Sequence, residues 1–347
     1  MLEIDCSHGE GGGQLARMAI AAAALTGKPV RLHHIRAGRS RPGLAAQHLA
    51  AVRAVADLCG AGAVDVAVGA TELEFCPGGL RAGTYNWDVG TAGSITLVLQ
   101  AALPPAVLSG GALHMRITGG TDVRAAPPLD YFLQVFLPLL ARMGVNASTR
   151  VLRRGYYPRG GGVVEVDVAP GQVLHPLCLE TAGALYDIAA YAHIANLPRH
   201  ILERMCACVE RTLSGQDIRM EARVLGHQEA IGQGGGLTLV ARTEHSVLGA
   251  AVTAERGIRA ETLGLETAQA LTRDLNSGAT LDVHAADQLL LYMALAGGTS
   301  RFRTRALSSH ARSTLWLLER MFPMQHFETE RAGLIEVELR STFHAGG

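Results

Sequence analysis

The segment 284–323, HAADQLLLYMALAGGTSRFRTRALSSHARSTLWLLERMFP, reads as an apolar helix, a Gly-Gly turn, a strand of alternating basic and apolar residues, a loop and a second apolar helix. The same order recurs at 11–62, GGGQLARMAIAAAALTGKPVRLHHIRAGRSRPGLAAQHLAAVRAVADLCGAG. It recurs again at 91–145, TAGSITLVLQAALPPAVLSGGALHMRITGGTDVRAAPPLDYFLQVFLPLLARMGV. Each copy is followed by a stretch patterned as a strand pair: AVDVAVGATELEFCPGG from residue 63, STRVLRRGYYPRGGGVVEVDVA from 148 and HFETERAGLIEVELR from 326. The unit is two helices and about four strands. The fold class that follows is α/β (α+β), with three repeats of a four-stranded sheet carrying two helices.

The copies are unevenly spaced. The first two begin about 80 residues apart and the last two about 190 apart, an excess of about 110 residues that matches a small domain. This predicts a smaller α/β domain inserted at 178–276, within a threefold-repeat domain made of 1–177 and 277–347. The insert contains YDIAAYAHIANLPRHILERMCACVERTL, a strand then a helix, and the hairpin-like LTLVARTEHSVLGAAVTAERG. Its Gly run GQGGG, at 232–236, is expected to be a mobile loop.

Composition excludes several classes of function. Of 347 residues 48% are hydrophobic and the net charge is zero, which argues against a surface that coats nucleic acid but not against a site gripping one phosphate end. The start MLEIDCSHGE is too polar for a signal peptide, and runs such as AIAAAAL are too short to span a bilayer, so no membrane association is expected. The six cysteines include no CxxC pair and read as free thiols of a reducing cytoplasm, not as a zinc site. Lys28 is the single lysine and GxxxxGK[ST] is absent, which removes P-loop ATP binding and makes a lysine nucleophile untenable unless Lys28 served.

The candidate site residues come from three places. In SHGEGGGQLAR, residues 7–17, glycines at a helix start let backbone approach an anion closely. Glu10 at the rim is suited to a divalent cation bridging phosphates, and Arg17 lies one turn into the helix. A tight turn with a capping glutamate is the simpler alternative. In HHIRAGRSRPGLAAQHL, Arg36, Arg39, Arg41 and Gln47 belong to a stretch, Lys28 to Ala56, with six positive residues and no acid. Such a patch suits phosphate oxygens, and equally a solvated basic face. The third place is His310, in the loop equivalent to the one holding Arg36, Arg39 and Arg41 in copy one and Thr121, Asp122 and Arg124 in copy two. If equivalent loops converge, a histidine, arginines and an acid meet. A neutral imidazole can attack a nucleotide α-phosphorus to give a phosphoramidate. A lone histidine at a helix start is more simply a capping or hydrogen-bonding residue, and local sequence favours that reading.

Taken together, GEGGGQ, RAGRSRPGL, SITLVLQ, GGTD with APP, RGYYPRGGG, ADQLL and the terminal Ser-His loop resemble the RNA 3′-terminal phosphate cyclases, from about residue 3 to about 338 and most weakly across the insert. RGYYPRGGG is the most specific of these motifs. The resemblance implies use of ATP and a divalent metal, magnesium or manganese, on RNA 3′-phosphate ends. The enzyme histidine takes AMP and releases pyrophosphate. AMP then passes to the RNA 3′-phosphate, and the 2′-hydroxyl displaces it to leave a 2′,3′-cyclic phosphate. His310 resembles that nucleophile and Glu10 the metal-binding glutamate. Arg17, Arg36, Arg39 and Gln47 are similar to residues that grip phosphates, and Gln100 and Asp287 to nucleotide-binding positions. His284 stands where many relatives carry an aromatic residue, so adenine stacking is weaker or uses the imidazole, and Ser309 replaces a cysteine of some relatives. A catalytically inactive RNA-processing paralogue of this fold would lack the histidine. The enolpyruvyl transferases, which share the repeat, need lysines. The sequence leaves open whether the chain is a monomer or a homodimer.

Overall fold

The computed structural model describes residues 1–62 and 65–344. The first repeat contains β1 (Leu2–Asp5), α1 (Gly13–Thr26), β2 (Val30–His33), α2 (Ala46–Cys59) and β3 (Leu73–Phe75). The second contains β4 (Gly83–Asp88), α3 (Ile95–Val107), β5 (Leu113–Gly119), a broken second helix, β6 (Ala147–Gly155) and β7 (Gly162–Val168). The broken helix consists of α4 (Leu129–Tyr131), a π turn (Phe132–Phe136) and α5 (Leu137–Arg142). Pro138 cannot donate to the preceding turn and its ring crowds that turn's carbonyl, which widens the helix there. Next come β8 (Leu185–Ala195), α6 (Arg199–Thr212), β9 (Ile218–Leu225), β10 (Ala230–Ile231), β11 (Gly234–Thr243), β12 (Val247–Thr253) and α7 (Ala260–Ser277). The third repeat closes the chain with α8 (Val283–Leu295), β13 (Gly298–Thr304), α9 (Ser309–Met321), β14 (Met324–Arg331) and β15 (Leu334–Ser341).

One pairing scheme recurs. β1 runs parallel to β2 across α1, and β2 is antiparallel to β3. β4 runs parallel to β5 across α3, β5 is antiparallel to β7, and β7 to β6. β13 is antiparallel to β15, and β15 to β14. The parallel neighbour of β13 is short: Cys178 bridges Arg301, with Leu179 N–H and Arg301 N–H each donating across the pair at 2.8 Å. Everything from β8 to α7 therefore interrupts one strand-helix-strand crossover of the third repeat. Four strands are complete in the second repeat, whose sheet β10 also joins. The first repeat shows three strands among the described residues. Its expected strand pair begins at 63–64, outside them. Within the rest of that stretch Leu73–Phe75 is β3, while Gly69 and Ala70 brace the arginine loop: Leu44 N–H donates to Ala70 O at 2.9 Å and Gly69 N–H to Leu44 O at 2.7 Å.

Helix α1 packs against α2, α3 and α9, and α8 against α9 and α3. Helix α1 is accordingly buried from Leu15 to Ala24, Arg17 included. Its alanines fit this position, because they lose no side-chain entropy and let neighbouring helices approach. No helix among the described residues is long and apolar enough to cross a membrane.

Strands β12, β11, β8 and β9 form a separate four-stranded sheet in that order. Ile188, Ala190, Ala192 and Ile194 alternate along β8 into a core of their own with α6 and α7. The Gly run is not the mobile loop expected from sequence. Gly234, Gly235 and Gly236 belong to β11 and pair with Ala195, Ile194 and His193. A Cβ at Gly234 would sit 2.1 Å from the Tyr156 ring, so glycine is what lets the strand pass beneath it.

Asp282 fastens this sheet to the repeats. Its Oδ1 accepts from His284 N–H and Ala285 N–H at 3.0 Å each, capping α8, and from Tyr131 O–H at 2.7 Å. Its Oδ2 accepts from Gly249 N–H of β12 at 2.9 Å. The carboxylate is buried, so each abandoned donor would be left without water. Asp282→Ala should therefore destabilise the fold by about 3 kcal/mol or more, read as the shift in urea unfolding against wild type. A loss within 0.5 kcal/mol, on the order of an ordinary surface change, would contradict the role.

Candidate active site

Three loops meet where α1 and α9 begin. Helix α1 starts at Gly13 behind Gly12, which has no side chain to cap it, so the first backbone N–H groups stay available. Two glycines are sterically required here. A Cβ at Gly9, where φ is +68°, would lie 2.1 Å from Ser313 Oγ of α9. A Cβ at Gly13 would lie 1.9 Å from His48 Nε2 of α2. The loop thus passes close to both helices, and Glu10 projects between them.

Glu10 joins the first and third repeats. One carboxylate oxygen accepts from the Arg39 guanidinium. The other lies 2.8 Å from His310 Nε2. Arg39 Nη2 also lies 3.3 Å and His310 Cε1 3.8 Å from the Cβ position at Gly12. All three side chains are partly open to solvent. His310 does not cap α9. Ser308 does, its Oγ accepting from Ala311 N–H at 2.9 Å. The imidazole is left free to face Glu10.

A buried layer lies behind this contact. Gln14 Nε2 donates to Asp287 Oδ1 of α8 at 2.8 Å and to Thr314 Oγ1 of α9 at 3.2 Å. Burial raises the Asp287 carboxyl, while the Gln14 hydrogen bond and the fields of His310, His284 and Arg17 pull it back. Arg17 is 5% exposed and its Nε has no partner. Burial lowers its guanidinium to about 10, partly offset by Asp287, so it stays charged at neutral pH. A buried cation with an idle donor at the base of a helix N-terminus suits an anion.

The remaining sequence candidates divide. Arg36, with φ +54°, gives Nη1 to Gly43 O at 2.7 Å and so holds its own loop, while burial and Arg39 lower its pKa. Gln47 Oε1 accepts from Ser94 N–H at 2.9 Å, joining α2 to the start of α3. Gln100 is half-buried in α3 with no polar contact to the cluster among the described residues. His284 is exposed on the first turn of α8, edge-on to Tyr131 at 6.4 Å. The second-repeat loop does not join the other two. Asp122 pairs with Arg154 at 3.0 Å and lies 3.6 Å from His193, and Arg124 pairs with Glu255 at 3.4 Å. Two surface clefts, one lined by Arg31, Glu72 and Glu74 and one by Thr84, His114 and Asp167, share no residue with the cluster.

Gln14 and His48 are site residues that the sequence reading did not single out. Gln14 stands inside the quoted GEGGGQ. His48 looks like any polar break in the apolar stripe of α2, and only the folded contact with Gly13 marks it.

A family model described as RNA 3′-terminal phosphate cyclase matches residues 8–327. A Nitrosospira multiformis protein of that name is 53% identical over 347 residues, covering 99% of this chain and 98% of its own length. One from Methanopyrus kandleri, with the same name, is 41% identical over 330 residues, covering 93% and 94%. A solved structure, the enolpyruvyl transferase NikO from Streptomyces tendae, aligns to 99% of this chain and 49% of its own at 13% identity and a TM-score of 0.38, too weak a likeness to argue from.

His48 yields a pH test. Burial, then Arg17 and Arg36, lower its imidazole to about 3. The unfolded chain protonates this group below about 6.5 while the folded protein does not until about 3, so stability present above the first value is lost as pH falls toward the second. Unfolding in urea at pH 7 and pH 5 should show wild type losing about 2 kcal/mol in all beyond a His48→Gln variant. Parallel losses in the two proteins would show that His48 titrates normally.

Proposed function

We propose that this chain, which belongs to the RNA 3′-terminal phosphate cyclase family, uses ATP to convert an RNA 3′-phosphate into a 2′,3′-cyclic phosphate, with His310 as the group that first takes AMP. The observation that carries the reading is the contact of His310 Nε2 with Glu10, beside Arg39 and the uncapped start of α1. A nucleophile, a cation and backbone donors converge at one point, and no lysine besides Lys28 exists to take the role. Lys28 is bound at 2.8 Å to Met321 O, at the far end of α9.

Glu10 orients the imidazole through Nε2–H, and Nε2 attacks once this contact is released and the ring proton lies on Nδ1, which leaves the lone pair on Nε2. The P–N bond forms as the bond from the α-phosphorus to the pyrophosphate oxygen breaks. Arg39 and the α1 N–H groups stabilise the charge that develops on the phosphoryl oxygens, and Arg17 supports them from below. The RNA 3′-phosphate then attacks the same phosphorus and frees Nε2. In the last step the 2′-hydroxyl attacks the activated 3′-phosphorus and AMP leaves. Gln14 and Asp287 hold α1, α8 and α9 in register for this. Magnesium or manganese fits the donor set: each Glu10 oxygen keeps a lone pair beyond the hydrogen bond it accepts, and one carboxylate plus phosphate oxygens and water suits these hard ions. When bound, such an ion would neutralise phosphate charge. The expected setting is the cytoplasm, on RNA 3′-phosphate ends.

The direct test supplies ATP, a divalent metal and RNA bearing a 3′-phosphate, and follows the cyclic product. A 2′-deoxy 3′-phosphate end should accumulate as the adenylylated species, because the internal nucleophile is missing. A cyclic product from that end would refute the last step.

Arg39→Ala should slow use of 3′-phosphate ends by roughly one to two decades, the cost of losing a charge-assisted contact. Arg219→Ala, whose guanidinium contacts the Tyr191 hydroxyl at 3.0 Å on the insert sheet, should stay near wild type. Equal, near-wild-type rates for both would remove Arg39 from the site.

A further inference from the structure

A second polar cluster lies where β1 and β2 end. The strands are parallel and bring Asp5 opposite His33. Along a strand His33 and His34 would point to opposite faces. His34 instead has φ +55°, in the left-handed region, and the alternation breaks. The two rings meet edge to face, centroids 4.8 Å apart, with their Nδ1 atoms 3.2 Å apart. Asp5 Oδ1 lies 3.2 Å from His34 Nδ1 and 4.0 Å from His33 Nδ1.

We propose that Asp5, His33 and His34 bind one divalent transition-metal ion of the zinc and nickel class, separately from any cation at Glu10. Metal–ligand bonds of about 2.0–2.2 Å place neighbouring ligand atoms about 3–3.5 Å apart, and two of the three edges here already have that length. A small rotation of the half-buried His33 ring closes the third. At most one hydrogen can lie between the two facing nitrogens, so at least one imidazole lone pair points at its neighbour beside the carboxylate. Ser7 N–H and O–H both donate to Asp5 Oδ1, at 2.9 and 2.7 Å. These bonds fix the carboxylate in place, and Oδ2, which accepts no hydrogen bond among the described residues, keeps its lone pairs for an ion. The open side of the cluster leaves room for water to complete the shell. Two imidazoles and a carboxylate select zinc, nickel or cobalt over magnesium, which prefers an all-oxygen shell. Asp5 heads the loop that carries Glu10, and His34 heads the loop that carries Arg39, so an ion here would pin both loops at their bases.

Calorimetric titration of the whole protein with zinc chloride, repeated with nickel chloride, tests the site. Wild type should take up one ion. His34→Asn, which tolerates the left-handed backbone, and His33→Ala should each weaken it by about tenfold or more, since even outer-shell changes cost metal sites that much. Glu10→Gln should keep the ion that His34→Asn and His33→Ala weaken, whatever a cation site at Glu10 takes up. With cobalt, the visible absorption of the bound ion should be present in wild type and absent in His34→Asn. Absence of binding by wild type overturns the proposal. So does affinity unaltered by both histidine variants, or uptake that is lost in Glu10→Gln and retained in His34→Asn.

Discussion

The site depends on one shared carboxylate. Glu10 accepts from Arg39 on one oxygen and faces His310 on the other, so a single side chain sets the distance between the first-repeat loop and the start of α9. The surrounding structure makes this sharing possible. Gly9 lets Ser313 approach, Gly13 lets His48 approach, and Ser308 caps α9 so that His310 need not. Adding a methyl group at either glycine would push the loop away from a helix and separate the three partners.

Repetition brings equivalent loops to comparable places, but they have diverged in use. The first and third repeats supply Arg39 and His310 to the same cluster. The second turns its loop toward β8. There Asp122, Asp130, Arg154 and His193 form a buried group of two acids and two basic side chains at the junction with the inserted strands. Burial and Arg154 lower the His193 pKa, yet the two carboxylates outweigh them and raise it, while Arg154 holds Asp122 ionised against its burial. Charge in this region joins secondary-structure elements, whereas charge around Glu10 remains accessible to a ligand.

Much of the fold was legible because the repeat is written in periodicity. Apolar helices, Gly turns and basic strands recur in one order, and the pairing scheme complete in the second copy is followed by the strands described in the first and third. What sequence missed involved contacts at a distance. The Gly run at 234–236 reads as a loop, since only the fold shows Tyr156 lying over it. Gly69 and Ala70 fall in a stretch patterned like a strand but are spent on bracing Leu44. At the site, the motif carrying Glu10, the arginine loop and His310 were visible as separate signals, and the structure shows their contact. Gln47 and Arg36, read as phosphate-gripping residues, make their hydrogen bonds to backbone, at Ser94 and Gly43. His48 and Gln14 escaped notice because a polar residue on an apolar helix declares its partner only after folding.

The central claim is that His310, held by Glu10, forms a covalent bond to AMP. Incubation with α-labelled ATP and a divalent metal, without RNA, tests it most directly, with the labelled protein exposed to acid and to alkali. A phosphoramidate at His310 should survive alkali and hydroxylamine, be lost in mild acid, and be absent from His310→Ala. Label that persists in His310→Ala, or an acid-stable adduct in wild type, would contradict the account and leave His310 as a residue that only steadies the start of α9.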